Sequence, residues 1–458
     1  MKEVKELMGL DKEYQVIKVE EKVENKITCK CIYVIKNTRK EKCPYCGSYT
    51  KSIHDKLKPV KLKYLKSFEY ITYLLIIKRR FICHKCNKKF TEKVSLNNSN
   101  ESLSNKLKQK ILKDLLNYNL SLKYIANENN VSDNTVRSIL VDAMSDYPKQ
   151  VKLLPSVVSF DEFKADTKMG KYALIMNDLL HKRVIDVLPS RKKEDLIKYL
   201  ENVDNRSSVQ YVVSDMYEPY LIVTQIMFPK AKYVVDRFHY IKYPMDALDD
   251  IRIRLQDEYG YNSKEYRLLK NKKNASLLRK YGNEVEWFVY TKRYKNKHMV
   301  NVLPGDILEE IFSINEDLRR GYQLKELFLD IVNHATYEDC KEQFLCWIDL
   351  CKESKIEEYI KAASTIENWL EYICNSFIDK RFSNGYTEGL NNKIKVIKRI
   401  GFGYKDFDFF RIRLLYMLRG KISGNGKKDG FKKIKKTQKW RNIKKCKKVR
   451  YQPQKNRY

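Results

Sequence analysis

Short runs of β-branched and apolar residues mark the middle of the chain. Residues 157–163 read Val-Val-Ser-Phe-Asp-Glu-Phe, and residues 211–215 read Tyr-Val-Val-Ser-Asp. Runs of this length and composition are typical of buried strands. The same patterns predict further strands at residues 172–176, 184–188 and 231–236, and helices at residues 191–200 and 219–228.

The order of these elements is three strands, helix, strand, helix, strand. This order predicts an RNase H-like α/β core, whose first part spans residues 155–244. In that fold the first and fourth strands are neighbours, so Asp161 and Asp215 would meet at one edge of the sheet. A third carboxylate, Glu388, lies among polar residues ahead of a basic helix. Three carboxylates brought together can hold two divalent cations for phosphodiester chemistry. Each acid taken alone is equally compatible with a solvated loop.

Helical spacing predicts three short helices in residues 102–147, and Ser121 and Ser132 can cap the second and the third. Asn129-Asn130-Val131 predicts a tight turn before the third segment, which favours a helix-turn-helix DNA-binding domain. A small helical bundle without a DNA role is the alternative. The residues of the third helix expected to face the major groove are Asp133, Asn134, Thr135 and Arg137.

Two Cys-x-x-Cys pairs lie in the first 98 residues, and each has the spacing of a zinc knuckle. With the strand-like residues between them, they predict a zinc-ribbon domain with an extended hairpin and one structural zinc ion. Reduced, unliganded thiols are the alternative. Cys29 and Cys31 are interpreted as structural, and His54 and His84 as surface residues. The expected zinc ligands are Cys43, Cys46, Cys83 and Cys86.

Residues 245–375 lose the strand signal and predict an all-helical insertion in the catalytic core. Its basic residues fit a DNA backbone or a solvated helix face. Residues 376–419 return to the core with Glu388, and residues 420–458 form a Lys-rich tail expected to add salt-sensitive DNA affinity. The basic residues in question are Arg252, Arg254, Lys270, Lys272 and Lys273 in the insertion, and Lys393, Lys395, Lys398 and Arg399 after Glu388.

The net charge of the chain indicates what class of molecule it binds. The chain has 92 Lys and Arg against 58 Asp and Glu, a formal net charge of +34, which suits a polyanion such as nucleic acid. An anionic membrane surface is the competitor, but the apolar run at residues 71–77 is too short to cross a bilayer. The N-terminus lacks a signal-peptide pattern, so we expect a cytoplasmic protein whose eleven cysteines are metal ligands or core residues.

These motifs in this order resemble the DDE transposases of bacterial insertion sequences, of the ISL-three (ISL3) group. The resemblance rests on the cysteine pairs, Ser-Phe-Asp161-Glu-Phe, Val-Ser-Asp215-Met-Tyr, Asp-Arg-Phe-His239 and Glu388-Gly-Leu-Asn-Asn-Lys-Ile-Lys. It implies that Asp161, Asp215 and Glu388 are the catalytic triad, holding two Mg²⁺ or Mn²⁺ ions. It also suggests that Asp236 and His239 support the metal ligands.

The activity implied is binding of double-stranded DNA at the ends of an insertion sequence, followed by metal-dependent strand cleavage and strand transfer. We expect a homo-oligomer on DNA and no membrane association. One alternative is an RNase H-like nuclease without strand transfer. The other is a non-catalytic DNA-binding regulator, which would show a substituted carboxylate, whereas all three carboxylates are present.

Overall fold

The computed structural model describes residues 2–97, 101–167, 170–285, 289–295, 298–383, 385–401, 403–404 and 406–419. The predicted basic tail from residue 420 lies outside the described residues. The N-terminal elements are α1 (Lys2–Leu7), β1 (Tyr14–Glu24), β2 (Ile27–Lys36), β3 (Glu41–Lys42), β4 (Tyr49–Thr50), β5 (Ile53–Lys56), β6 (Val60–Lys63), β7 (Ile71–Ile76), β8 (Arg79–Ile82) and β9 (Lys89–Thr91).

These strands form a four-stranded sheet and the ribbon beside it. The sheet has the order β1-β2-β7-β6, while β3-β4 and β5-β8-β9 carry the two cysteine pairs. The predicted extended hairpin between the pairs is confirmed, because β5 pairs antiparallel with β8 and β6 with β7; β7 also joins the strands of residues 14–36 through β2. Cys29 and Cys31 face the core from β2, at 2% and 1% exposure, and His54 and His84 are exposed, as predicted.

Three helices follow, each capped by a serine, as predicted for the second and third. Ser104, Ser121 and Ser132 accept hydrogen bonds from the backbone N–H three residues later, which satisfies donors that a helix start leaves free. Asn130 in the last turn has a φ of 51°. The helices are α2 (Asn105–Leu115), α3 (Leu122–Glu128) and α4 (Asp133–Ala143).

A five-stranded mixed sheet lies at the centre of the protein. Its order is β12-β11-β10-β13-β14, with β10 parallel to β13 and β13 parallel to β14, so the predicted adjacency of the first and fourth strands is confirmed. The elements are β10 (Val157–Thr167), β11 (Gly170–Asp178), β12 (Arg183–Leu188), α5 (Lys193–Leu200), β13 (Tyr211–Ser214), α6 (Glu218–Met227) and β14 (Lys232–Val235).

The two faces of this sheet belong to different cores. Alternate residues of a strand point to opposite faces, so Phe160 packs with α5, α6 and the later helices while Phe163 packs on the other side. The face of Phe163 shares one core with α2, α3, α4 and the C-terminal helices. The segment between α4 and β10 is anchored to the protein, because Tyr147 donates to the Ile185 carbonyl at 3.0 Å and Leu154 is buried.

The segment between β14 and the last helices contains a hairpin, so the prediction of an all-helical insertion is corrected. Its two strands, of five residues each, are too short for their spacing to be distinguished from the neighbouring helices. The first helix spans the expected boundary at residue 245. The elements are α7 (Arg237–Tyr259), α8 (Lys264–Lys270), α9 (Lys272–Arg279), β15 (Thr291–Lys295), β16 (His298–Val302), α10 (Pro304–Phe312), α11 (Glu316–His334), α12 (Cys340–Glu353), α13 (Glu357–Asn368) and α14 (Leu370–Cys374).

Two final helices, α15 (Gly385–Ile400) and α16 (Phe407–Arg419), return to the central sheet. Arg411 of α16 contacts the fully buried Asp186 of β12 through two nitrogens, at 2.7 and 2.9 Å. A buried ion pair is costly to break, so it fixes α16 on the sheet. Among the helices that the structure describes, none has the length and apolar character needed to cross a bilayer.

Candidate active site and zinc centre

The parallel register of β10 and β13 aligns two of the predicted catalytic acids. Val157, Val158 and Ser159 pair with Tyr211, Val212 and Val213, so continuing the register sets Asp161 opposite Asp215. The pairing is extended by the Ser214 hydroxyl, which donates to the Phe160 carbonyl at 3.0 Å. The prediction that the two acids meet at neighbouring strands therefore follows from the sheet itself.

Asp215 is held from two sides. The Tyr233 hydroxyl donates to its carbonyl at 2.6 Å, and Nε2 of His239 lies 2.7 Å from its Oδ1. The same His239 nitrogen lies 3.9 Å from Oδ2 of Asp236, a residue 1% exposed at the start of α7. His239 thus lies between Asp236 and Asp215.

Helix α15 reaches the same place from the end of the chain. Near its start, Nδ2 of Asn177 in β11 donates to the Thr387 hydroxyl at 3.1 Å, and both residues are fully buried. One turn later, Nδ2 of Asn391 donates to Oδ2 of Asp161 at 3.0 Å and to the Glu162 carbonyl at 3.4 Å. These contacts fix both the position and the rotation of α15 against the sheet.

Glu388 lies three residues before Asn391 on this helix. Residues at that spacing are neighbours on a helix surface, with Cβ atoms ~5–6 Å apart. Glu388 therefore lies beside the position where Asn391 contacts Asp161, but its own side chain is exposed. Among the described residues, only four cysteines bring three or more ligand atoms within 4.8 Å of one another. Asp161, Asp215 and Glu388 thus lie around one site, but their carboxylate oxygens are not all within 4.8 Å of one another.

Burial and charge act together on the acids. Burial, together with the negative charge of Asp215, raises the pKa of Asp161 to about 7. For His239, burial lowers the pKa, but the hydrogen bond to Asp215 and the nearby carboxylates raise it above its ordinary value. The carboxylates therefore give the site a net negative charge that the neighbouring protein groups offset only in part.

The donor set fits a divalent cation with oxygen ligands. Asp161 within β10 and Asp215 directly after β13 present neighbouring carboxylates, and Oδ1 of Asn391 is buried without a hydrogen-bond partner among the described residues. Carboxylate and amide oxygens are the ligands that Mg²⁺ and Mn²⁺ prefer. The residues present thus fit the ions that the sequence leads us to expect.

The zinc centre is built from two matching knuckles. Gly47 and Asn87 follow the second cysteine of each pair with φ of 76° and 53°, and the first cysteine donates its N–H to the carbonyl five residues later. Sulfur–sulfur distances are 3.7 Å for Cys43–Cys86 and 3.5 Å for Cys46–Cys83. Zinc in a tetrahedron with Zn–S of ~2.3 Å needs sulfurs just under ~4 Å apart, so the four thiols fit a structural zinc ion.

The predicted DNA-reading residues of α4 do not share one environment. Asp133 and Asn134 are exposed at its start, and Thr135 is half-buried. The Arg137 guanidinium lies 4.1 Å from the ring centroid of Phe409 in α16, a cation–π contact. Asn134 is therefore better placed than Arg137 to meet DNA without breaking an internal contact.

The basic residues predicted to contact DNA differ in whether their side chains are exposed or engaged in contacts within the protein. Lys393, Lys395 and Arg399 of α15 are exposed, while Lys398 donates to the Lys164 carbonyl at 3.1 Å. In the insertion, Lys272 and Lys273 are exposed and Lys270 bonds to the Tyr266 hydroxyl. The two arginines are engaged in ion pairs, Arg252 with Asp249 and Arg254 with Glu258, Asp317 and Glu358.

Sequence reasoning missed two parts of this region. Asn391 lies one helical turn after Glu388, and that spacing alone could have indicated it. Glu162 and Arg191 form an ion pair next to the site, bordered by Tyr217 and Tyr220. No spacing rule connects these residues, because β10, α6 and the segment before α5 come together only in the folded chain.

Comparison with known proteins now places the chain. Residues 158–414 match the profile of the DDE transposase family of the ISL3 group, described as "Transposase". Residues 39–86 match a second profile, described as "zinc-finger of transposase IS204/IS1001/IS1096/IS1165". The first profile covers the central sheet, the insertion and α15, and the second covers both cysteine pairs.

Individual relatives agree with the profiles. The transposase for insertion sequence element IS1001 of Bordetella parapertussis is 22% identical over 402 residues, covering 86% of this chain and 92% of the relative. The transposase for element IS1557 of Mycobacterium tuberculosis is 22% identical over 279 residues, covering 59% of this chain and 62% of the relative. A shorter match, 32% identical over 124 residues, is to an ATP-dependent protease of Lactococcus lactis and covers 27% of this chain.

The catalytic-domain match spans more than half of the chain, and the zinc-finger match falls on the four clustered cysteines. Along the chain, the zinc-finger match comes first, and the match that includes the central sheet and α15 follows it. The chain therefore belongs to the ISL3 group of DNA transposases.

Proposed function

We propose that this transposase cleaves and transfers DNA strands at one metal-dependent site formed by Asp161, Asp215 and Glu388. The observation that carries the proposal is the Asn391–Asp161 hydrogen bond of 3.0 Å, because it joins two segments 230 residues apart at the acids of the sheet. The strand order of the central sheet supports an RNase H-like core.

The roles of the residues follow from where they lie. Asp161 and Asp215 hold the cations from the sheet, and Glu388 completes the set from α15 when DNA and metal are bound. Two bound Mg²⁺ ions would activate the attacking water and offset the charge on the leaving oxygen. Asn391 keeps the Asp161 carboxylate in place, while Asp236 and His239 orient Asp215.

Two displacements at phosphorus use the same site. First, water attacks the phosphodiester at the end of the element, the bond from phosphorus to O3′ breaks, and a 3′-hydroxyl is released. That hydroxyl then attacks a phosphodiester of the target DNA and displaces the target O3′. Each step makes one P–O bond and breaks one, so no covalent protein intermediate is required.

The helices α2, α3 and α4 are proposed to read the element ends as a helix-turn-helix, with the exposed lysines of α15 contacting phosphates. The serine-capped start of α4 and its exposed Asn134 support this, because base contacts specify and phosphate contacts position. We also propose that the protein acts as a homo-oligomer, since two ends must be brought together before joining.

Asn134→Ala tests the helix-turn-helix. We expect it to weaken binding to the element's terminal repeat by about 10-fold or more, as for loss of one base contact, and to leave random-DNA binding unchanged. Lys393→Ala is the matched control, expected to weaken binding to both DNAs equally. Equal effects of the two variants in a gel-shift titration would contradict a reading role for α4.

Strand cleavage and strand transfer are tested with a labelled duplex and an unlabelled plasmid. The duplex carries the terminal repeat that is to be read from the DNA flanking the reading frame. With Mg²⁺ the protein should cut at the repeat and join the cut end to the plasmid. Cutting without joining would favour a nuclease. Specific binding without cutting, in Mg²⁺ and in Mn²⁺, would favour a DNA-binding regulator.

A further inference from the structure

A cavity adjoins the proposed catalytic acids. Its volume is about 270 Å³, at the small end of ligand cavities, and Asp215 and His239 form part of its wall. Because it shares these residues with the site of cleavage, its occupant must be compatible with DNA bound there. We call it the tyrosine pocket; its remaining lining residues are Glu162, Arg191, Met216, Tyr217, Tyr220, Lys242, Tyr243 and Asp246.

Three tyrosines contribute flat aromatic surfaces to the wall. The rings of Tyr217 and Tyr220 meet edge to face with centroids 4.9 Å apart. The Arg191 guanidinium lies 5.3 Å from the Tyr217 ring centroid and 4.6 Å from that of Tyr172. Aromatic rings and arginine planes are the surfaces on which unpaired bases stack in proteins that bind single strands.

The polar groups of the pocket can reach the edge of a base. Tyr220 is 1% exposed, yet its hydroxyl is buried without a hydrogen-bond partner among the described residues. Such an unsatisfied group costs free energy unless a ligand supplies the partner. Glu162 adds acceptor oxygens and Arg191 adds donors, paired with each other across the pocket. Donors and acceptors are thus placed beside a stacking surface.

The charge balance argues against a phosphate as the occupant. Each basic side chain of the wall lies against a carboxylate: Arg191 against Glu162, His239 against Asp215 at 2.7 Å and Lys242 against Asp246 at 3.7 Å. A phosphate would meet three carboxylates in this space, whereas a neutral base would not be repelled. The surroundings therefore favour an uncharged, flat and hydrogen-bonding ligand.

We infer that the tyrosine pocket takes up one unpaired nucleobase of the strand cut at the catalytic acids, next to the scissile phosphate. The inference rests on the proposed cleavage function and goes beyond it. Moving a base out of the duplex costs a few kcal/mol, which stacking and hydrogen bonds in such a pocket offset. The bound base would fix the position of the adjacent phosphodiester over Asp161 and Asp215.

Cleavage by two variants tests the pocket. Tyr217→Leu removes the stacking surface and is expected to slow cleavage of the intact end duplex about 10- to 100-fold, the range for loss of one base–aromatic stack. Tyr220→Phe keeps the ring and loses only the hydroxyl, with an expected loss of about tenfold. Tyr322→Phe, a buried tyrosine packed on Phe312 of the insertion, is the matched control and should cleave like the parent.

A scan of abasic nucleotides identifies the base. Single abasic sites are placed one at a time on five positions either side of the cut, and both variants are compared with the parent on each duplex. At one position the variants should cleave within about twofold of the parent, because no base remains to be held. The proposal that the pocket binds a base would be contradicted by either of two results. One is slower cleavage by the variants to the same extent at every abasic position; the other is parental cleavage by both variants. Absence of Mg²⁺-dependent cleavage by the parent itself would instead overturn the proposed function, and the pocket with it.

Discussion

Asp161→Asn should abolish strand cleavage while leaving the protein folded and bound to DNA. Asp161 lies between Asp215 on the neighbouring strand and Asn391 on α15, so it is the acid that both parts of the site share. Asparagine keeps the acceptor for Asn391 but removes the charge that holds a cation. Since metals supply several kcal/mol of transition-state stabilisation, we expect cleavage with Mg²⁺ to fall by about three orders of magnitude or more.

A thermal-unfolding measurement on Asp161→Asn distinguishes loss of catalysis from loss of folding. Burial disfavours the charged form of Asp161, so removing the charge should leave the thermal midpoint unchanged or raise it. Glu194→Gln, an exposed acid in the first turn of α5, serves as control and should match the parent in both measurements. Cleavage by Asp161→Asn within tenfold of the parent would contradict its role as a metal ligand.

Cys43→Ser should remove the zinc ion and unfold the ribbon. Its thiol is 1% exposed, lies 3.7 Å from that of Cys86 and packs in the small core with Phe81 and Phe90. Such a core is too small to hold the ribbon without the metal, whose binding contributes ~10–16 kcal/mol in small zinc domains. Metal analysis should find about one zinc per parent chain and none in the variant.

Limited proteolysis locates the damage. New cuts should appear between residues 39 and 92, while the central sheet stays resistant because its two cores contain none of the four cysteines. Cys346→Ser, at an exposed cysteine of α12, should keep the zinc and the parental cutting pattern. Stoichiometric zinc in Cys43→Ser would show that the four thiols do not form the site.

The local part of the fold could be predicted from the sequence because it depends on nearest neighbours. The β-branched run predicts the strand at residues 211–214 to the residue, and Ser121 and Ser132 cap the helices that they are predicted to cap. Asp161 and Asp215 were aligned through the rule that the first and fourth strands are neighbours. The rule holds in this sheet.

Tertiary features escaped the same reasoning. Nothing in residues 102–147 indicates that their helices share a core with Phe163 and α16, because only the folded chain brings these surfaces together. The contact of Arg137 with Phe409 follows from that shared core. The two-stranded hairpin at residues 291–302 was missed because five-residue strands between helices leave little periodicity to detect.

Glu388 gives the most direct test of a three-carboxylate site, because it is exposed in the structure and reaches the acids only through α15. The measurement is cleavage and binding of one labelled end by Glu388→Gln, with Asp408→Asn, an exposed acid at the start of α16, as control. We expect parental or slightly tighter binding by Glu388→Gln and cleavage reduced by about three orders of magnitude, with the control unaffected. Near-parental cleavage by Glu388→Gln would contradict the three-carboxylate site and leave Glu388 as a solvated surface acid.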